Sequence, residues 1–272
     1  VGWRDVLVDP RLERVVAQAL ENNRDLRVAM LNVERARAQY RIQRAERLPG
    51  IGANATLERS GGGIPASETV TASLGLASFE LDLFGRVRNL SEAALQQYFA
   101  QEENRRAAQI ALIATVSNAW MALAADQSLL AIAGDTLAAQ EESLRLTERR
   151  HELGAVSGLV LAQARTEVET ARADQARYRG QVEQDRHALD LLAGSPVADE
   201  DVPAGFEDGL VAMTAVPAGL PSDILLRRPD IQAAEHALSG ANANIGAARA
   251  AFFPSISMTA GAGSISSDFS GL

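Results

Sequence analysis

The spacing of apolar positions changes twice along this chain. From Pro10 they recur at helical intervals, with Leu12, Val15, Val16, Ala19 and Leu20, and after Asp25 the pattern restarts with Leu26, Ala29, Val33 and Ala36. Pro10 directly after Asp9 suits a first helical turn, and Pro49-Gly50 ends the run. Residues 1–48 are therefore expected to form N-terminal helices.

Beyond Pro49 the period drops to two. Ile51, Ala53, Ala55 and Leu57 alternate with Asn54, Thr56, Glu58 and Ser60, and Val70, Ala72, Leu74 and Leu76 alternate with Thr69, Thr71, Ser73 and Gly75. SGGGIPASE between the two runs supplies turn residues, so residues 49–84 read as a β-hairpin. Strands of about ten residues suffice for a tilted membrane strand. Two strands cannot close a barrel, so a membrane role demands oligomerisation; an edge hairpin of a soluble sheet shows the same alternation.

Between residues 85 and 194 helix formers dominate. Val116, Leu123, Leu130, Leu137 and Leu144 lie seven apart. Leu161, Val168, Val182 and Leu189 hold a second seven-residue grid, with Gln175 as its polar exception. Such grids predict long helices packed side by side, and HELGAVSGLVL at 151–161 places a small-residue turn between them, making an antiparallel hairpin. Two readings of that turn stay open. Gly154 and Gly158 permit a tight reversal, or the bare stretch lets a partner's backbone approach while Val156 and Leu159 offer apolar contact.

Residues 195–222 carry four of the nine prolines and read as an irregular connector. Residues 230–260 then repeat residues 25–55 at a constant offset of 205, matching at Asp25/Asp230, Ala29/Ala234, Ala36/Ala241, Arg44/Arg249, Pro49/Pro254 and Ile51/Ile256. Residues 223–253 are thus a second-repeat helix, and residues 254–272 a third strand in which Ile256, Met258, Ala260 and Ala262 alternate with Ser257, Thr259, Gly261 and Gly263. The sequence stops where a second hairpin should turn back and so reads as a fragment. The expected fold class is mainly α with a small β part.

Composition narrows the function. With 272 residues, 47% hydrophobic and 22% charged, the chain folds as one or two domains, and aromatics at 4% leave Ala and Leu to pack closely spaced helices. A net charge of −9, with basic residues interspersed among acids, argues against nucleic acid as a partner. Without Cys there is neither a disulfide nor a thiolate metal site. Nothing resembles a signal peptide and the chain starts at Val1, as a mature or trimmed product would; a lipidated N-terminal Cys, had one existed, has been cut away. No run approaches the ~20 apolar residues of a spanning helix.

Candidate chemistry is sparse. His151, His187 and His236 are isolated, so no metal site is expected, and GGGIP at 61–65 lacks the Gly-Lys-Ser/Thr of a phosphate loop. No motif brings Ser, His and an acid together, so neither catalysis nor a cofactor is expected. Trp120, in mid-helix, reads as a packing residue rather than a membrane anchor. Asp82 in FELDLFGR reads as a charge at a helix N-terminus rather than a channel lining.

DPRLERVVAQALENNRDLRVA (9–29), FELDLFGRVR (79–88), VPAGLPSDILLRRPDIQAAEHAL (216–238) and IGAARAAFFPSISMTAGAG (245–263) resemble the outer-membrane efflux channels of the TolC and OprM type, closest to the OprM-like lipoprotein branch. The resemblance implies a homotrimer in which each subunit gives four strands to one membrane β-barrel and long helices to a periplasmic α-barrel. It implies a passive exit duct for drugs or other small solutes, handed over by an inner-membrane transporter and a periplasmic adaptor, in a bacterial outer membrane with a lipid anchor. On this reading Gly154, Ala155, Val156, Ser157, Gly158 and Leu159 form the adaptor-binding tip. Ile51, Ala53, Ala55, Leu57, Val70, Ala72, Leu74, Leu76, Ile256, Met258 and Ala260 face outer-membrane lipid. The sequence departs from the family by holding three of the four strands and lacking the second long hairpin, which in the family helps form the periplasmic gate. Alone it should not make a working channel. The competing reading is a soluble coiled-coil scaffold capped by a β-hairpin.

Overall fold

The structure, a computed structural model, describes residues 3–61, 67–206, 219 and 221–267. In chain order its elements are α1 (Pro10–Asn22), α2 (Arg24–Ala45), β1 (Ile51–Ser60), β2 (Ser67–Glu80), α3 (Arg86–Glu152), α4 (Gly158–Ala193), α5 (Pro229–Ala250) and β3 (Ser257–Ser266). Short 3₁₀ turns lie at Trp3–Asp5, Asp199–Asp201 and Ser222–Arg227. The chain divides into two units, Val1–Val28 with Arg106–Pro221, and Ala29–Arg105 with Ser222–Leu272.

In the first unit α1 starts where Asp9 caps it, its side chain accepting from the Arg11 N–H, with Pro10 in the first turn. The N-terminal segment is two helices. They part at Asn23, whose Oδ1 accepts from Leu26 N at 2.9 Å and whose Nδ2 donates to Leu192 O at 2.9 Å. The apolar stripe of α1, Leu12, Val15, Val16 and Ala19, is buried with Leu112, Val116, Trp120 and Leu123 of α3 and Leu189 and Ala193 of α4. Farther along the hairpin Leu137, Val168 and Ala171 form a second cluster with Leu144 packed on it. The seven-residue grids are therefore the seam. Gln175, their polar exception, lies opposite Gly134, where an added β-carbon would be 3.4 Å from its Nε2.

One expectation is corrected here. By length and composition α3 does contain a window apolar enough to cross a membrane. It coincides with the uncharged stretch from Ala107 to Ala124, and its Leu112, Val116, Trp120 and Leu123 are spent on the core of this unit. Part of the expected irregular connector, residues 207–218 and 220, lies outside the described residues, as do residues 62–66 of the expected hairpin turn.

The second unit holds an antiparallel sheet of order β1-β2-β3. Its α5 has both ends 205 residues beyond those of α2, matching the sequence repeat. It lies close against the start of α3: a β-carbon on Gly240 would sit 3.4 Å from Ala93 O, and His236 Nδ1 is 2.7 Å from Gln96 Oε1. The two repeat helices nevertheless bury opposite sides. Leu26, Val33 and Ala36 are buried on α2, whereas on α5 the buried positions are Ala233, Gly240 and Ala247, equivalent to Val28, Arg35 and Ile42. A displacement of two residues is a rotation of about 200° around the axis. Each helix thus leaves bare the apolar side its counterpart covers: Leu31 and Ile42 are exposed on α2, Leu238 and Ile245 on α5.

Candidate functional site

Two surfaces follow from the sequence pattern, the sheet and the hairpin turn. In the sheet, Ile51, Ala53, Ala55 and Leu57 lie directly opposite Leu76, Leu74, Ala72 and Val70, so all eight side chains share one face. Ala260 opposite Leu76 and Met258 opposite Phe79 join them. Between Leu76 and Phe79 the register shifts, and Ser78 adopts a φ of 43°. This bulge re-phases the alternation, which by strict counting would have put Phe79 on the polar side. Two of the expected lipid-facing positions differ from the sequence pattern. Ile256 precedes β3, its carbonyl accepting from Leu81 N at 2.8 Å, and Val70, flanked by Leu57 and Ser266, is 3% exposed while Leu57 and Leu74 are 63% and 60% exposed.

Every residue of β1 is exposed, and β3 is exposed except at its last residue. Neither face of these strands packs on a core within the described residues. Asp82 joins the sheet to α3: its two carboxylate oxygens accept from Val87 N at 3.1 Å and Arg88 N at 2.7 Å, which makes it a cap on the start of the helix.

At the other surface α3 ends in a double backbone lock. Ala155 N donates to Arg150 O at 2.8 Å and Gly154 N to His151 O at 2.9 Å, with Gly154 at φ 70°. Ser157 then caps α4, its side chain accepting from Val160 N, and His151 Nδ1 lies 3.0 Å from Val156 O, tying the two helix ends together. Leu153 and Leu159 are 82% and 69% exposed, and Val156 is half-buried. The expectation that both glycines serve the reversal is corrected for Gly158. Its φ is not positive, and a β-carbon there would meet nothing nearer than His151 Cε1 at 4.0 Å. Only Gly154 is demanded by backbone geometry.

The sequence matches the family described as "Outer membrane efflux protein" over residues 15–195 and 220–272, which take in the strands, the long hairpin and the second helix-to-strand switch. The chain belongs to this family. Among curated members of the outer membrane efflux proteins, it is 50% identical to the probable efflux pump outer membrane protein TtgC of Pseudomonas putida, covering 98% of this chain and 57% of that protein. It is 45% identical to the outer membrane protein OprJ of Pseudomonas aeruginosa, covering 100% and 58%. A crystal structure of a membrane protein from Pseudomonas aeruginosa superposes with a TM-score of 0.90 at 44% identity, covering 99% and 62% of the two chains. The open state of the Neisseria gonorrhoeae MtrE outer membrane channel does so with a TM-score of 0.82 at 42% identity, covering 99% and 66%. The chain thus spans less than two thirds of the length of these relatives.

In this efflux-family chain the sequence reading of the turn passed over two exposed residues at the end of α3, Arg150 and Leu153, the latter the most exposed apolar residue of the turn. The signal was available, since Leu153 directly precedes Gly154 and Arg150 lies four residues before it, where the helix must end. It also missed Phe79, whose face was decided by the bulge.

Proposed function

We propose that the full-length protein is the outer-membrane exit duct of an efflux pump, a passive conduit for drugs or other small solutes delivered by an inner-membrane transporter through a periplasmic adaptor. Copies join as a homotrimer, with the sheet in outer-membrane lipid and the long hairpin extending into the periplasm beneath a lipid anchor. Ile51, Ala53, Ala55, Leu57, Ala72, Leu74, Leu76, Met258 and Ala260 face the acyl chains, and Gly154 to Leu159 meet the adaptor. The strands complete their hydrogen bonding edge to edge with further strands, because lipid offers the backbone no partners.

The observation that carries this reading is the opposite burial of α2 and α5. A helix that is apolar on two sides and covered on one belongs in a wall that continues past it. The bare side of α2 is the equivalent of the side that α3 covers on α5, which supports a long helix as what covers it. A closed tunnel wall needs no reactive group, in keeping with the channel names of the relatives. A free-standing scaffold leaves these second sides, and the bare sheet, unexplained.

The test is made on the full-length protein. It should leave the membrane only with detergent and migrate as a heat-sensitive oligomer. Leu31→Glu with Ile42→Glu should dissociate that oligomer and raise dye accumulation in cells. A freely soluble monomer, or an oligomer indifferent to both substitutions, overturns the reading.

A further inference from the structure

We infer that the partner docking on the hairpin tip carries a carboxylate that pairs with Arg150, an inference that rests on the proposed adaptor contact and specifies its chemistry. Charges on this end of the hairpin are almost all matched within the chain. Arg145 pairs with Glu142, Arg149 with Glu152 at 3.5 Å, Arg165 with Glu148 at 3.2 Å, and Arg172 with both Glu141 and Glu169 at 3.0 and 2.7 Å. The His151 ring is held at Val156 O. Arg150 is exposed, and its guanidinium has neither an ion pair nor a hydrogen bond among the described residues, although its backbone carbonyl is engaged by Ala155 N.

Its place makes that vacancy consequential. Leu153 is three residues on, so the two side chains are neighbours on one helix surface, and Leu153 is 82% exposed. A surface that covers Leu153 also takes water from Arg150. Removing water from an unpaired guanidinium costs more than covering a leucine returns, so a stable contact requires an acceptor on the partner. A carboxylate satisfies the planar fork with two parallel hydrogen bonds and cancels the charge, which a single carbonyl does not. Glu167, the other unmatched charge between Glu141 and Arg172, lies three turns into α4 and is not part of the turn.

The experiment measures binding of the host pump's purified adaptor to the full-length oligomer at low and at physiological salt. Arg150→Glu should weaken binding about tenfold or more, as expected for losing a charge-assisted pair and gaining a repulsion. Arg150→Lys should retain part of it, and Arg150→Gln should flatten the salt dependence. Arg149→Gln, whose native partner is Glu152, should bind as the parent does. Heat-sensitive migration confirms in each case that the oligomer is intact. Parental binding by Arg150→Glu, or an unchanged salt dependence in Arg150→Gln, overturns the inference. Leu159→Asp separates the two levels. If it abolishes binding while Arg150→Glu does not, tip docking stands and the carboxylate falls; if it binds normally, the tip reading itself fails.

Discussion

The indole nitrogen of Trp120 donates to the backbone carbonyl of Asp201 at 2.9 Å, with both residues buried. The Asp201 carboxylate in turn holds Arg14 of α1 at 2.6 Å, so one 3₁₀ turn latches α1 and α3 together. Trp120→Phe keeps most of the volume but leaves the Asp201 carbonyl without a donor, at a cost of about 1–3 kcal/mol. Trp120→Ala adds a cavity and should cost about 3–5 kcal/mol. Thermal unfolding should rank parent, Phe and Ala in that order.

Gly194 and Gly154 both adopt left-handed backbone, at φ 77° and 70°, but in different surroundings. A β-carbon at Gly194 would fall 2.5 Å from the carbonyl oxygen of Asn22, whereas at Gly154 it would meet nothing within 4 Å. Gly154→Ala should therefore cost only the backbone penalty of about 1–2 kcal/mol. Gly194→Ala must also push α1 away from the end of α4. A larger loss of thermal midpoint for Gly194→Ala than for Gly154→Ala is the expected result, and equality would contradict the packing described.

Asp126 of α3 and Asp185 of α4 form a carboxyl pair across the hairpin. The hydrogen bond to Asp185, then burial, then the Asp185 charge raise the Asp126 carboxyl above its ordinary 3.8. Gln181 Nε2 donates to Asp185 Oδ1 at 3.0 Å, while the buried Asp185 Oδ2 has no hydrogen-bond partner among the described residues. Because the folded chain holds the Asp126 proton more tightly than the unfolded chain does, ionisation of Asp126 destabilises the fold above the raised pKa. That penalty shrinks as pH falls and is gone below 3.8. Asp126→Asn should raise the thermal midpoint near neutral pH and lose most of that advantage by about pH 4. An advantage that grows on acidification would reverse the assignment.

Ala53 and Asn54 are adjacent on β1, both exposed, and point to opposite faces. If the Ala53 face meets acyl chains, Ala53→Arg should impair outer-membrane assembly, costing up to about 2–4 kcal/mol at mid-bilayer. Asn54→Arg should assemble close to normally. Yield of heat-sensitive oligomer in purified outer membranes reads the difference, and equal yields would remove the lipid-facing assignment.

Much of the local structure was legible in the residues. Asp9-Pro10 marks the start of α1, the leucine grids mark the seam, and Pro49 and Pro254 mark the two switches to strand. What misled was local counting applied where a long-range contact decides. Phe79 changes face because of a bulge two residues earlier, and Gly158 has the residue type of a turn glycine without its backbone. The apolar stretch of α3 around Trp120 has the composition of a membrane helix and is used as core.

The sequence by itself determined the elements, their repeat and the shared apolar face of the strands, because helix and strand periods and proline breaks are properties of neighbouring residues. Tertiary structure alone decided which side of each repeat helix is covered. Residues 25–45 and 230–250 are repeats with apolar residues on two sides of each helix, so periodicity alone does not separate those sides. The choice comes from what lies against each helix: α5 meets the start of α3 through Gly240, where the absence of a side chain permits close approach, and at the equivalent position of α2 Arg35 stands exposed.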